Sequence, residues 1–211
     1  MVRGLFIALE GPDGSGKSTI IKLIGNYLKD KGIEFVMTRE PGGTLIGEEI
    51  RHIVLDEKNT GISDETEALL YAAARGQHVH EKILPSLKEG KLVLCERFVL
   101  SSLAYQGVGR GLGIEKVKAI NDFAIRGVYP DLILFFHVDP EVTLERKTGN
   151  QGGDRLEQEG NDFHKTVYEG YMELLKLYPK NIKVIDATKS IEEVLEQSIK
   201  EVEDLLTKKR E

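Results

Sequence analysis

The sequence predicts an α/β fold of P-loop type, a three-layer sandwich in which helices cover both faces of a five-stranded parallel sheet. Three observations predict it. Five short apolar runs recur along the 211 residues, segments with helical spacing separate them, and the first strand-to-helix junction is rich in glycine. Parallel strands are buried on both faces and need helical crossovers, and this alternation supplies them.

Leu5-Phe-Ile-Ala-Leu9 is the first strand, and Gly11-Pro-Asp-Gly-Ser-Gly-Lys-Ser18 after it matches G-x-x-x-x-G-K-[ST] in the required strand-loop-helix setting. Glycines at 11, 14 and 16 let backbone N–H groups approach phosphate oxygens without a Cβ in the way. Lys17 adds a charge for the β/γ-phosphates, Ser18 offers a hydroxyl to Mg²⁺, and the next helix turns its positive end to the anion. The loop Gly11, Pro12, Asp13, Gly14, Ser15, Gly16, Lys17, Ser18 and Thr19 is therefore the expected triphosphate site. Such a loop defines only the donor side, since switches, motors and kinases all use it.

The remaining elements follow in order. Lys31-Gly32 stops the first helix, and Ile33–Thr38 reads as the second strand. Arg39–Thr44 is a loop, and a helix through Ile46, Ile50, Ile53 and Val54 carries Arg51 on its flank. Asp64 reads as an N-cap with Glu67 as its capping-box partner, opening a helix that places Tyr71 and Arg75 on one face. Pro85 is expected to kink or end that helix. Lys91–Cys95 is a buried strand ending at Glu96-Arg97, where ligands of open α/β sheets bind. Ser101–Gln106 starts a helix, and the glycine-dense segment 107–113 reads as a flexible connector. Asp131–Val138 is the fourth strand. The polar stretch 148–153, flanked by Arg146, Lys147 and Arg155, reads as a mobile lid spanning about 146–157. A helix through Phe163, Val167, Tyr171 and Leu174, the strand Ile182–Asp186 and an amphipathic helix from Ile191 close the chain.

Composition bounds the function. With 40% apolar and 30% charged residues, the chain reads as one globular domain, 1–211. A net charge of −6 argues against a nucleic-acid polymer or an anionic membrane as partner. The single cysteine, Cys95, excludes an intrachain disulfide, fits a reducing cytoplasm and reads as an inert buried thiol. Neither a signal peptide nor a run of about 20 apolar residues is visible.

Phosphoryl transfer needs charge to be clamped, which directs attention to Arg39, Arg51, Arg75, Arg97, Arg146 and Arg155, near strand ends or in the lid. Arg97 closes a buried strand and must find a partner. Glu96, at a strand end beside the P-loop, reads either as a carboxylate for Mg²⁺ or its waters, or as a salt-bridge partner of Lys17 or Arg97. Asp13 is an anion inside a phosphate loop, and an Asx turn is one reading of it. The five histidines read as structural or surface residues.

The set Gly11–Ser18, Thr38-Arg-Glu-Pro-Gly-Gly-Thr44, Leu70-Tyr-Ala-Ala-Ala-Arg75, Glu96-Arg-Phe98, Ser101-Ser-Leu-Ala-Tyr-Gln-Gly107 and Asp154-Arg-Leu-Glu157 resembles the bacterial thymidylate kinase family. The resemblance covers nearly the whole chain and implies transfer of the γ-phosphate of ATP to dTMP with Mg²⁺, in a homodimer. It implies that Arg39, Arg51 and Arg97 hold the dTMP phosphate and that Tyr71 stacks on thymine. Arg75, Ser102 and Gln106 then meet the polar edge of the base, and Tyr105 crowds out a 2′-hydroxyl. Asp13 would face the nucleotide sugar and phosphate and, with Lys17, Arg97, Arg146 and Arg155, would serve catalysis, and Ser18 and Glu96 would serve the metal. The family usually carries aspartate at the positions of Glu96, Ala74 and Leu100, so a displaced metal shell is expected, with either looser support for Arg75 or a reshaped acceptor pocket that selects thymine over uracil less strictly. A kinase for another pyrimidine nucleotide such as dUMP, or a nucleotide switch, are the alternative readings.

Overall fold

The computed structural model of the protein describes residues 3–139, 142 and 154–208. Strands β1 (Phe6–Glu10), β2 (Phe35–Arg39), β3 (Leu92–Glu96), β4 (Leu132–His137) and β5 (Ile182–Asp186) form one sheet in the order β2-β3-β1-β4-β5. Every neighbouring pair is parallel. The described helices are α1 (Lys17–Asp30), α2 (Leu45–Leu55), α3 (Asp64–His78), α4 (Leu84–Lys88), α5 (Val99–Ser102), α6 (Ile114–Ile125), α7 (Asn161–Leu177) and α8 (Ile191–Lys208).

Burial on both faces explains why the strands read as continuous apolar runs. All five residues of β1 are buried. Successive strand side chains leave on opposite faces. Ile7 and Leu9 therefore pack with Ile20 and Ile24 of α1 and Val202 of α8, while Phe6 and Ala8 pack with Val79, Ile83, Phe98 and Ile125. A third cluster joins Val54, Leu100, Tyr105, Phe135, Val167 and Tyr171 beneath the loops at the C-terminal strand ends. Among the described residues no helix is long and apolar enough to cross a membrane.

Several local expectations change. Ser63, not Asp64, caps α3, its hydroxyl accepting from the Thr66 N–H at 3.2 Å. With the cap one residue earlier, Glu67 is no capping-box partner, and its side chain is buried in the first turn of the helix. The disruption expected at Pro85 comes before it. Val79–Ile83 forms a π-helical turn with Leu84 N–H reaching the Val79 carbonyl, and Pro85 sits in the first turn of α4, where its missing N–H matters least. Leu103–Gly109 is a second π-helical stretch, so Gly109 belongs to a packed helix and not to a flexible connector. A Cβ at Gly109 would lie 2.8 Å from Val167 and 2.9 Å from Phe163 of α7. Most of the expected lid, including Arg146, lies outside the described residues. Its C-terminal part is ordered as a turn in which Asp154 Oδ1 accepts from the N–H groups of Leu156 and Glu157, both at 3.0 Å.

Candidate active site

The C-terminal ends of β1, β2 and β3 open into a cleft of about 530 Å³. On its phosphate-loop side, Gly11 leaves β1 with φ 139°, and a Cβ there would lie 2.6 Å from the Phe136 carbonyl oxygen of β4. Only glycine fits that approach. Gly16 caps α1 without a side-chain acceptor, and the first turn holds no acidic residue. The positive helix end therefore carries no competing anion of its own. Lys17 is 4% exposed. Its Nζ donates to the Pro12 carbonyl at 2.7 Å and to Ser15 Oγ at 3.2 Å. Burial, with the nearby Arg97 charge, pushes the Lys17 pKa down to about 7. Gly14, Gly16, Lys17, Ser18 and Thr19 line the cleft, whereas Pro12 and Ser15 act from behind by holding Lys17.

Ser18 Oγ donates to Glu96 Oε1 at 2.6 Å. Glu96 forms no ion pair among the described residues, so of its two readings the salt bridge is not seen. Beside it, Arg97 adopts φ 65°, a left-handed conformation that costs a non-glycine residue about 1 to 2 kcal/mol. Two hydrogen bonds fix the turn: Arg97 N–H to the Leu9 carbonyl and Phe98 N–H to Glu10 Oε1, both at 2.8 Å. The turn aims the guanidinium at the phosphate loop, where it pairs with Asp13 and donates to the Gly11 carbonyl and to Ser101 Oγ, both at 3.0 Å. Burial opposes the Arg97 charge, but Asp13 outweighs it and the pKa stands above the ordinary arginine value. Tyr105 donates to Asp13 Oδ2 at 2.8 Å. Asp13 thus ties the phosphate loop to two acceptor-side residues.

Arg39 and Arg51 both donate to the Pro41 carbonyl, at 2.7 and 3.1 Å. Arg39 also pairs with Glu48 Oε2 at 3.0 Å, so the two guanidinium groups gathered at one carbonyl offer an anion a net positive charge beside that carboxylate. Burial and the Arg39 charge hold the Arg51 pKa below its ordinary value.

On the base side, Tyr71, Arg75, Ser102, Tyr105 and Gln106 line the same cleft. Arg75 is 2% exposed and bonds Glu40 Oε2 at 2.6 Å, Ser102 Oγ at 2.9 Å, the Phe98 carbonyl at 3.0 Å and Asn121 Oδ1. Those four contacts leave one of its five N–H donors, on Nη2. Alanine at 74 does not loosen Arg75: Glu40 and Asn121 supply the acceptors, while Leu100 joins the apolar cluster. Arg155 does not line the cleft. It donates to the Val54 carbonyl at 3.0 Å and to Glu67 Oε2 at 2.5 Å.

Sequence reasoning missed three buried carboxylates and one amide. Glu10 accepts from Phe98 N–H, Ser101 N–H and Ser101 Oγ. Glu40 bridges Arg75 and His78, and Glu67 bridges Gln106, Arg110 and Arg155. A carboxylate closing the apolar strand at Glu10 was the available signal for the first, and the Arg-Glu pair at 39–40 for the second. Asn121, in the middle of α6, carries no motif. Glu40, His78 and Cys95 lie within 4.8 Å of one another, but burial raises the Cys95 thiol well above its usual range and the other two already bond Arg75 and Thr38, which leaves no metal ligand set.

A parallel sheet with a phosphate loop at its central strand, facing clustered arginines and an aromatic floor in one cleft, defines a P-loop phosphotransferase acting on a small anionic acceptor. Residues 9–198 match the family model described as thymidylate kinase. The chain is 59% identical over 195 residues to a thymidylate kinase of Finegoldia magna, covering 92% of this chain and 96% of that protein. It is 51% identical to one of Clostridium novyi, over 93% and 97%, and 49% identical to one of a Geobacillus species, over 96% and 98%. The chain belongs to the thymidylate kinase family.

Proposed function

We propose that the protein transfers the γ-phosphate of ATP to dTMP, giving ADP and dTDP. The observation that carries this reading is that Lys17 shares one cleft with Tyr71, Arg75 and Gln106, so a donor triphosphate and an accepting nucleotide fit end to end. A dTMP phosphate oxygen attacks the γ-phosphorus in line. The bond to the β–γ bridging oxygen breaks as the new P–O bond forms, and ADP departs with that electron pair. The acceptor phosphate, with its second pKa about 6, is already largely dianionic near neutral pH and needs no general base. Position and charge neutralisation suffice.

In this reading Lys17 and the loop N–H groups hold the β/γ-phosphates, and Arg97 lies between donor and acceptor. Arg39 and Arg51 hold the dTMP phosphate. Tyr71 stacks on the base, Arg75, Ser102 and Gln106 meet its polar edge, and Tyr105 leaves no room for a 2′-hydroxyl. Ser18 Oγ and Glu96 Oε1, two hard oxygens 2.6 Å apart on the cleft wall, suit Mg²⁺. Bound there, the ion would neutralise charge on the donor phosphates. We place the lid at about 146–157 within a single domain, with the cation for the transferring phosphate coming from the segment Arg146 to Arg155, in a cytoplasmic homodimer.

The test is ADP release from ATP and Mg²⁺ with dTMP, dUMP, dCMP, UMP, AMP or GMP. Release should depend on dTMP, exceed that with every other acceptor and stop when the metal is chelated. Equal turnover across the panel, or none with dTMP, overturns the reading.

A further inference from the structure

Glu67 lies in the first turn of α3 at 1% exposure. It accepts from Gln106 Nε2 at 2.9 Å, from Arg110 Nη2 at 3.1 Å and from Arg155 Nη2 at 2.5 Å. Burial alone would raise its pKa, but the bonds from Arg110, Gln106 and Arg155 outweigh burial and hold it below the ordinary glutamate value. An ionised carboxylate only accepts hydrogen bonds. The Gln106 amide must therefore turn its NH₂ toward Glu67, which settles an orientation that atom shape alone leaves open.

The other end of that amide follows by accounting. Gln106 Oε1 accepts no hydrogen bond among the described residues, yet no buried side-chain oxygen there lacks a partner. Oε1 is therefore reachable from outside, and Gln106 is a wall of the cleft. The base side thus presents an acceptor at this point. Thymine and uracil offer an N3–H to it, whereas cytosine offers the lone pair of an unprotonated N3, opposing one acceptor to another. The methyl group that separates thymine from uracil has no bearing on this contact.

We infer that Glu67 is a positioning residue that fixes the hydrogen-bond polarity of the base pocket through Gln106, and so selects pyrimidines carrying an N3–H. Arg110 and Arg155 keep the carboxylate in its accepting form. The inference rests on the dTMP kinase reading, and its test keeps the two apart. In Glu67→Gln the new amide pairs with Gln106 in either sense, so Gln106 can turn its NH₂ to the cleft. The kcat/KM ratio of dTMP over dCMP should fall at least about tenfold, the cost of one mismatched buried hydrogen bond. Turnover of dCMP should rise in absolute terms, and KM for ATP should stay unchanged. Glu67→Asp, which still only accepts, should restore the ratio. A merely structural role would depress both acceptors alike and leave the ratio alone, and that result overturns the inference. Wild-type enzyme inactive on dTMP would overturn the function instead.

Should Glu67→Gln not fold, the wild-type protein decides by NMR. The side-chain NH₂ signals of Gln106, assigned by their loss in Gln106→Leu, should keep their exchange protection when dTMP binds. A hydrogen bond from that NH₂ to the base, in place of the one to Glu67, overturns the inference.

Discussion

On the base side of the cleft Arg75, Ser102 and the Gln106 amide are already held by protein partners, while on the phosphate-loop side the partners are ones a ligand must replace. Arg75 has spent four donors on Glu40, Ser102, Asn121 and Phe98, and Gln106 is held by Glu67. Lys17 leans on the carbonyl of Pro12, and Ser18 on Glu96. The difference separates two tasks. Reading a base needs donors and acceptors fixed beforehand, because ordering them at binding would consume affinity. Handling a charge in transfer needs cations whose provisional bonds exchange readily for phosphate oxygens.

Arg97 belongs to both sides, so removing it is the severest test of the contrast. It pairs with Asp13 of the loop and bonds Ser101 and Tyr171 under the acceptor. Arg97→Ala should lower kcat by on the order of a hundredfold or more, as loss of one charge-stabilising donor does elsewhere. The circular-dichroism spectrum should be retained. Near-normal turnover would place the clamp elsewhere and dissolve the link between the sides. Tyr71→Ala sharpens the contrast from the base side. Stacking is worth about 1 to 3 kcal/mol per base, and it is shared by ground and transition states. KM for dTMP should rise about tenfold with kcat nearly unchanged. A loss confined to kcat contradicts a passive floor.

The same contrast marks what could be read beforehand. The phosphate-loop side is local: a strand, a tight turn and a helix start lie within Phe6 to Ile20, so spacing reveals it. The sheet is legible for a similar reason, since runs such as Leu92–Cys95 are buried on both faces. The base side is assembled from α3, α5, the π-helical stretch 103–109 and α6, and its braces are single polar residues inside helical patterns. Glu67 fits a capping rule as well as it fits a buried bridge. Asn121 resembles any polar position of an amphipathic helix. The π-helical turns at 79–83 and 103–109 also break the 3.6-residue period on which such reading depends, which is why Gly109, packed against α7, looked like part of a flexible connector. Partners far apart in sequence, such as Arg75 and Asn121, leave no mark that spacing can detect.

The smallest expected effect probes the provisional bonding of Lys17. In the free protein, burial first and Arg97 second bring its pKa from 10.5 to about 7. Phosphate oxyanions favour the charged amine, so ATP binding must draw in a proton whenever Lys17 is neutral beforehand. Between pH 7 and pH 8 the charged fraction of a group with pKa about 7 drops from about one half to about one tenth, so affinity for ATP should weaken about fivefold. At pH 8 ATP itself is almost fully ionised, because such phosphate groups titrate about two units lower. Calorimetry at pH 8 in two buffers of different ionisation enthalpy should therefore show uptake of nearly one proton per ATP. Lys17→Arg stays charged throughout this range, so it should take up none and bind with a flat profile from pH 7 to 8. Absence of proton uptake by the wild-type protein would mean that Lys17 is held charged before ATP arrives, making the phosphate-loop side as preassembled as the base side.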